Sequence, residues 1–146
     1  MKTTKLDNSP ESAYWALRIF FGAVPLVAGL DKYFNLLTDW TVYVNPVIVR
    51  IAHLSPAAFL HIVGIIEIVA GIAVFSRWSK IGSYVVMLWL IGIAINLLLM
   101  GKFFDVAVRD IGLAIAAFTL ARLTALREQS SSATDARGRS AVPVRG

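Results

Sequence analysis

Apolar residues along this chain gather into four long blocks, at about 13–37, 57–76, 81–100 and 103–123, with short polar breaks between them. A helix needs about 20 apolar residues to cross the hydrocarbon core of a bilayer, and these blocks have that scale. They predict an all-α fold, an integral membrane four-helix bundle. Residues 1–12 read as a polar leading segment, and 125–146, rich in Ser, Ala and Arg, as a disordered basic tail with too little apolar surface to order itself. The stretch from Thr38 to Ser55 is longer than a turn and partly apolar. Trp40, Tyr43, Val44, Val47, Ile48 and Ile51 suit one side of an interfacial loop or short helix, broken at Asn45-Pro46.

Start signals sharpen two boundaries. Ser9-Pro10 and Ser55-Pro56 each offer a serine N-cap with proline at the first helical position. The first block also has the length of a secretory signal core. Asp7 and Glu11 ahead of it, Arg18 at its edge and the lack of a small-x-small site argue instead for a retained helix.

Within the first block Arg18, Gly22, Pro25, Gly29 and Lys32 follow a 4-3-4-3 spacing, which places them within roughly 80° of helix surface. The second block carries His61, Gly64, Glu67 and Gly71 within roughly 120°. Glycines on both stripes predict two backbones in close approach, as membrane helix contacts favour. Glu67 is a lone carboxylate at the middle of an apolar run, where an unpaired charge is costly. Arg18 is its expected partner from the first helix, with Lys32 as the competitor. Asn96 nears the end of the third block, and Asp105, Arg109 and Asp110 open the fourth. An alternating topology brings Asp31, Lys32, His61, Asn96, Arg109 and Asp110 to similar depth, forming one polar layer above Glu67. That layer fixes the helices to each other, binds a polar head, a quinone or a proton, or contacts another protein.

Composition narrows the chemistry. The chain has 146 residues, 58% of them hydrophobic and none of them cysteine, which excludes thiol catalysis, disulfides and thiolate metal sites. A net charge of +5 raises the question of nucleic acid. The basic residues flank apolar blocks and form no soluble patch, so no nucleic-acid partner is expected. Ten of the 14 Lys and Arg side chains fall on the face holding the amino end, the 77–80 turn and the carboxyl end. The positive-inside rule then places both termini in the cytoplasm. His61 alone makes no metal site, and Glu67, six residues on, is poorly spaced to join it. No Walker loop, dinucleotide fingerprint, HExxH or nucleophile elbow occurs. No catalytic residue, metal or cofactor is evident.

The run RIFFG at 18–22, GLDK at 29–32 and EIVAG at 67–71 followed by a basic turn resembles the DoxX-like family of small four-helix bacterial membrane proteins. LDKYFNLLTDW at 30–40, VGIIEIVAG at 63–71 and RDIGL at 109–113 resemble one branch of it. The resemblance covers about residues 14–124, with Arg18, Lys32 and Glu67 at the family's polar positions and Asp110 at the branch's. It implies a bacterial inner-membrane protein in contact with the lipid bilayer. Its expected role is that of a non-catalytic subunit or partner of a membrane-associated, quinone-linked oxidoreductase. The alternative is a small transporter or proton pathway that uses Glu67.

Overall fold

The computed structural model describes residues 9–140, with side chains over 10–137. Expectations for residues 1–8 and 141–146, and for the Ser9 side chain as a cap, lie outside the described residues. Five α-helices and one 3-10 turn account for the fold, with no strand among the described residues. Helix α1 spans Ser9–Phe34, a 3-10 turn spans Trp40–Tyr43, and α2 is the short Pro46–Ile51. Helix α3 spans Pro56–Phe75, α4 Ser79–Met100 and α5 Phe104–Ser140.

Local chemistry sets these boundaries. Asn45 and Ser55 accept from Val47 N and Ala58 N, each with proline behind it at the helix start. The interfacial segment therefore breaks at Asn45-Pro46 into two pieces. Gly101, at φ 66°, closes α4 in the left-handed conformation that glycine adopts without steric cost.

Helix α1 packs along α3 and α4 along α5, with α3 against α4 and α1 also touching α5. Small side chains line the interior around Ala94, Ala107, Ala117 and Ala121, while Phe21, Val74, Leu97 and Leu120 fill the larger gaps. Large apolar side chains such as Ile19, Val27, Ile62, Val69, Leu88 and Ile115 point outward and are exposed. This distribution inverts that of a water-soluble helical protein, where large apolar groups go inside.

Three helices are long and apolar enough to cross a membrane: α1 over Pro10–Phe34, α3 and α4. The sequence reading expects four. Helix α5 is not among the three: Asp105, Arg109, Asp110 and Arg122 interrupt its apolar run.

The expected disordered tail differs from what is observed, since α5 runs on to Ser140. Its continuation is tied back to other helices. Arg127 pairs with Glu11, its guanidinium lies 4.2 Å from the Tyr14 ring centre, and Glu128 lies 4.0 Å from Lys80. Beyond these ties the hydroxyls of Ser130, Ser132 and Thr134 bond back to carbonyls four residues earlier.

Candidate functional site

The α1–α3 contact is set by glycine. A Cβ on Gly29 would lie 2.6 Å from the Gly64 carbonyl oxygen, and one on Gly64 would lie 2.7 Å from that of Gly29. A Cβ on Gly71 would come within 2.6 Å of the Gly22 carbonyl. The helices run antiparallel, and facing positions, 22 with 71 and 29 with 64, total 93 in both pairs. By that register Lys32 stands level with His61 and Arg18 with Phe75.

Between the helices lies a buried ion pair. Lys32 Nζ donates to Glu67 Oε2 at 2.5 Å, and the two residues are 5% and 8% exposed. Their Cα atoms differ by six register positions, about 9 Å along the axis. Helical Cβ atoms tilt toward the helix N-terminus. On antiparallel helices this tilt sends Lys32 down toward Glu67 and Glu67 up toward Lys32.

The same rule corrects the expected Arg18–Glu67 pairing. Arg18 sits eight register positions from Glu67, about 12 Å along the axis, and its Cβ tilts away from it. The guanidinium goes instead to the C-terminus of α3, donating to the carbonyls of Val74, Phe75 and Ser76 at 3.2, 2.8 and 2.9 Å. It also donates to the Tyr14 hydroxyl at 2.6 Å. These carbonyls have no helical partner of their own, and a cation there also meets the negative end of the helix dipole.

Two tryptophans enclose the pair. The Trp40 ring lies 3.8 Å from Lys32 Nζ, face on, and Trp89 Nε1 points to Glu67 Oε1 at 3.4 Å. Trp40 is itself held by Asp31, whose Oδ2 accepts the indole N–H at 2.8 Å. Asp31 also accepts from Leu36 N and Leu37 N, which turns the chain out of α1. A single chain of contacts therefore runs from Asp31 through Trp40 and Lys32 to Glu67 and Trp89. Beyond it, Asp39 caps the 3-10 turn, and the Thr41 hydroxyl and backbone N–H hold its carboxyl below the usual carboxylate range.

The single polar layer expected from the sequence separates into parts. Asp31, Lys32 and Glu67 come together. His61 is exposed, with its ring stacked on Tyr33 at 4.5 Å and its carbonyl accepting from the Tyr33 hydroxyl. Asn96 Nδ2 donates to the Tyr43 carbonyl at 3.3 Å, tying α4 to the 3-10 turn, while its Oδ1 is buried without a partner among the described residues. Asp110 is 3% exposed and meets the guanidinium of its neighbour Arg109 at 3.2 Å. Turn order alone places these groups at one height; side-chain direction separates them around the helices.

Trp40 and Trp89 are the residues that sequence reasoning passed over, since it placed the first on the interfacial segment and gave the second no role. An indole N–H within a charged stripe's reach is the signal that could have found them. Among the described residues no group of three or more His, Asp or Glu is placed to hold a metal. Chemically, the arrangement neutralises two charges in a dry place and fixes the helices that bear them. No family model, curated protein or solved structure matches the chain.

Proposed function

We propose that this chain is an integral membrane protein of the DoxX-like type, in which α1, α3, α4 and the first part of α5 form a four-helix bundle. It resides in the bacterial inner membrane with both termini cytoplasmic. It serves as a non-catalytic subunit or partner of a quinone-linked redox system. The membrane part is supported by three sufficiently apolar helices and by the outward-facing shell of large apolar side chains. The non-catalytic part is carried by one observation, the closure of the Lys32–Glu67 pair between two helices and two indoles. A proton or ion pathway needs Glu67 to meet water and exchange partners, and a pair 5% and 8% exposed gives that alternative less support. The redox setting rests on the resemblance of the 18–22, 29–32 and 67–71 segments. For a quinone, Asn96 Oδ1 is a buried group with spare hydrogen-bonding capacity among the described residues. As an acceptor it suits the hydroxyl of a reduced head and not the carbonyl of an oxidised one.

Extraction tests the proposal in two steps. The full chain is expected to stay in the membrane fraction through an alkaline carbonate wash; release into solution would overturn the membrane reading. Mild detergent extraction of native membranes followed by mass spectrometry is expected to recover the chain with a larger oxidoreductase. Recovery as a lone chain, without partner or quinone, would overturn the subunit reading.

A further inference from the structure

Where α1 begins and α3 gives way to α4, a cleft of about 460 Å³ opens among Arg18, Arg77, Ser79, Thr124, Arg127 and Ser132. One of its lining residues, Ser79, is unusual. Ser79 is 2% exposed, and its buried Oγ has no hydrogen-bond partner among the described residues. A buried hydroxyl left unpaired is costly, so such a group marks a place where a partner belongs.

Other donors converge there. Ser79 is the first residue of α4, and Trp78 before it supplies no side-chain cap. The N–H of Gly82 bonds to the Trp78 carbonyl at 2.8 Å, so those of Ser79, Lys80 and Ile81 precede the first bonded turn. A helix start of this kind carries partial positive charge and aims N–H groups outward. Arg77 is exposed and enters no ion pair among the described residues. Arg18 and Arg127 also line the cleft. Glu128 is the carboxylate on the lining and faces Lys80, while Glu11 is engaged by Arg127. Arg18, Arg77, Lys80 and Arg127 against Glu11 and Glu128 leave this end with a net charge of +2.

We infer that this cleft binds a phosphoryl oxyanion, with Ser79 Oγ, the first-turn N–H groups of α4 and the Arg77 guanidinium as its donors. A tetrahedral oxyanion offers several acceptors to donors arriving from different directions, which a single carbonyl does not. Trp15 and Trp78 nearby are 45% and 56% exposed, as aromatic residues are at headgroup level. The oxyanion can belong to an anionic phospholipid or to free phosphate, and only the lipid source rests on the membrane reading.

Native mass spectrometry of the full chain in detergent separates these sources, using phosphatidylglycerol, phosphatidylcholine and inorganic phosphate as probes. Wild type is expected to retain phosphatidylglycerol over phosphatidylcholine. Ser79→Ala should weaken that retention about tenfold, the scale of one hydrogen bond to a charged group. Its thermal unfolding without lipid should be unchanged or improved, because the lost hydroxyl has no partner among the described residues. Arg77→Ala, at an exposed position, should weaken retention severalfold and reduce its salt dependence. Competition by millimolar phosphate would assign the site to the free anion, and failure of phosphate to compete would assign it to the lipid headgroup. Equal retention of both lipids together with no phosphate binding, or phosphoryl binding unaffected by both substitutions, would overturn the inference.

Discussion

Removing one partner of the Lys32–Glu67 pair leaves the other charge buried against indole and glycine. Both side chains are almost wholly enclosed, so the cost follows that of a broken buried ion pair, about 3–5 kcal/mol. Lys32→Met and Glu67→Leu should each lose about that much. Carrying both changes together replaces two charges with apolar side chains of similar length, and such exchanges are often neutral or stabilising by about 1–4 kcal/mol. The double variant should therefore unfold close to wild type, with a coupling energy of several kcal/mol between the sites. Titration with a denaturing detergent, followed by the emission of the four tryptophans, measures all four corners of the cycle. The same cycle for Arg18→Ala with Glu67→Leu should be additive, because the two residues share no partner. Additive losses for Lys32 and Glu67, or strong coupling for Arg18 and Glu67, would refute the argument from Cβ direction.

Gly64→Ala should cost about 1–3 kcal/mol, because its Cβ meets the Gly29 carbonyl oxygen at 2.7 Å and backbone must move. Gly92→Ala, with nothing within 4 Å, should gain up to about 1 kcal/mol in the same unfolding assay. Arg18→Ala should lose about 1–2 kcal/mol, and Arg18→Lys should recover only part of it, since one ammonium cannot reach three carbonyls as a planar fork does. Trp40→Ala should open Lys32 to an amine-acylating reagent, with peptide mass spectrometry showing modification at Lys32 in the variant and none in wild type; equal protection in both would contradict the role given to the indole.

Periodicity carried the helices well, because block length and the Ser55-Pro56 signal are local and strong. It carried the glycine stripes too, since a 3.6-residue repeat needs no knowledge of the partner helix. Partner choice within the site was another matter. Lys32 and Arg18 lie on one stripe at comparable sequence distance from Glu67, and only the antiparallel register together with the Cβ tilt separates them. Trp40 was hidden for a different reason: it reaches Lys32 through Asp31, after the chain has turned out of α1. The ordered start of the carboxyl-terminal segment depends on Glu11 and Tyr14, more than 110 positions away, so composition alone could not reveal it.

The seven-residue spacing of the glycines on each helix means that their packing alone does not choose an alignment. A slip of seven positions either way still sets one glycine against another. Slipped in one direction, Lys32 would stand roughly 20 Å from Glu67 along the axis with no partner, and Arg18 would be drawn level with Glu67, away from its carbonyls at the end of α3. Slipped in the other, Arg18 would pass beyond the end of α3 and lose its carbonyls. The glycines thus supply closeness while the charges supply identity, and of three alignments that the small residues tolerate, the two basic side chains leave one.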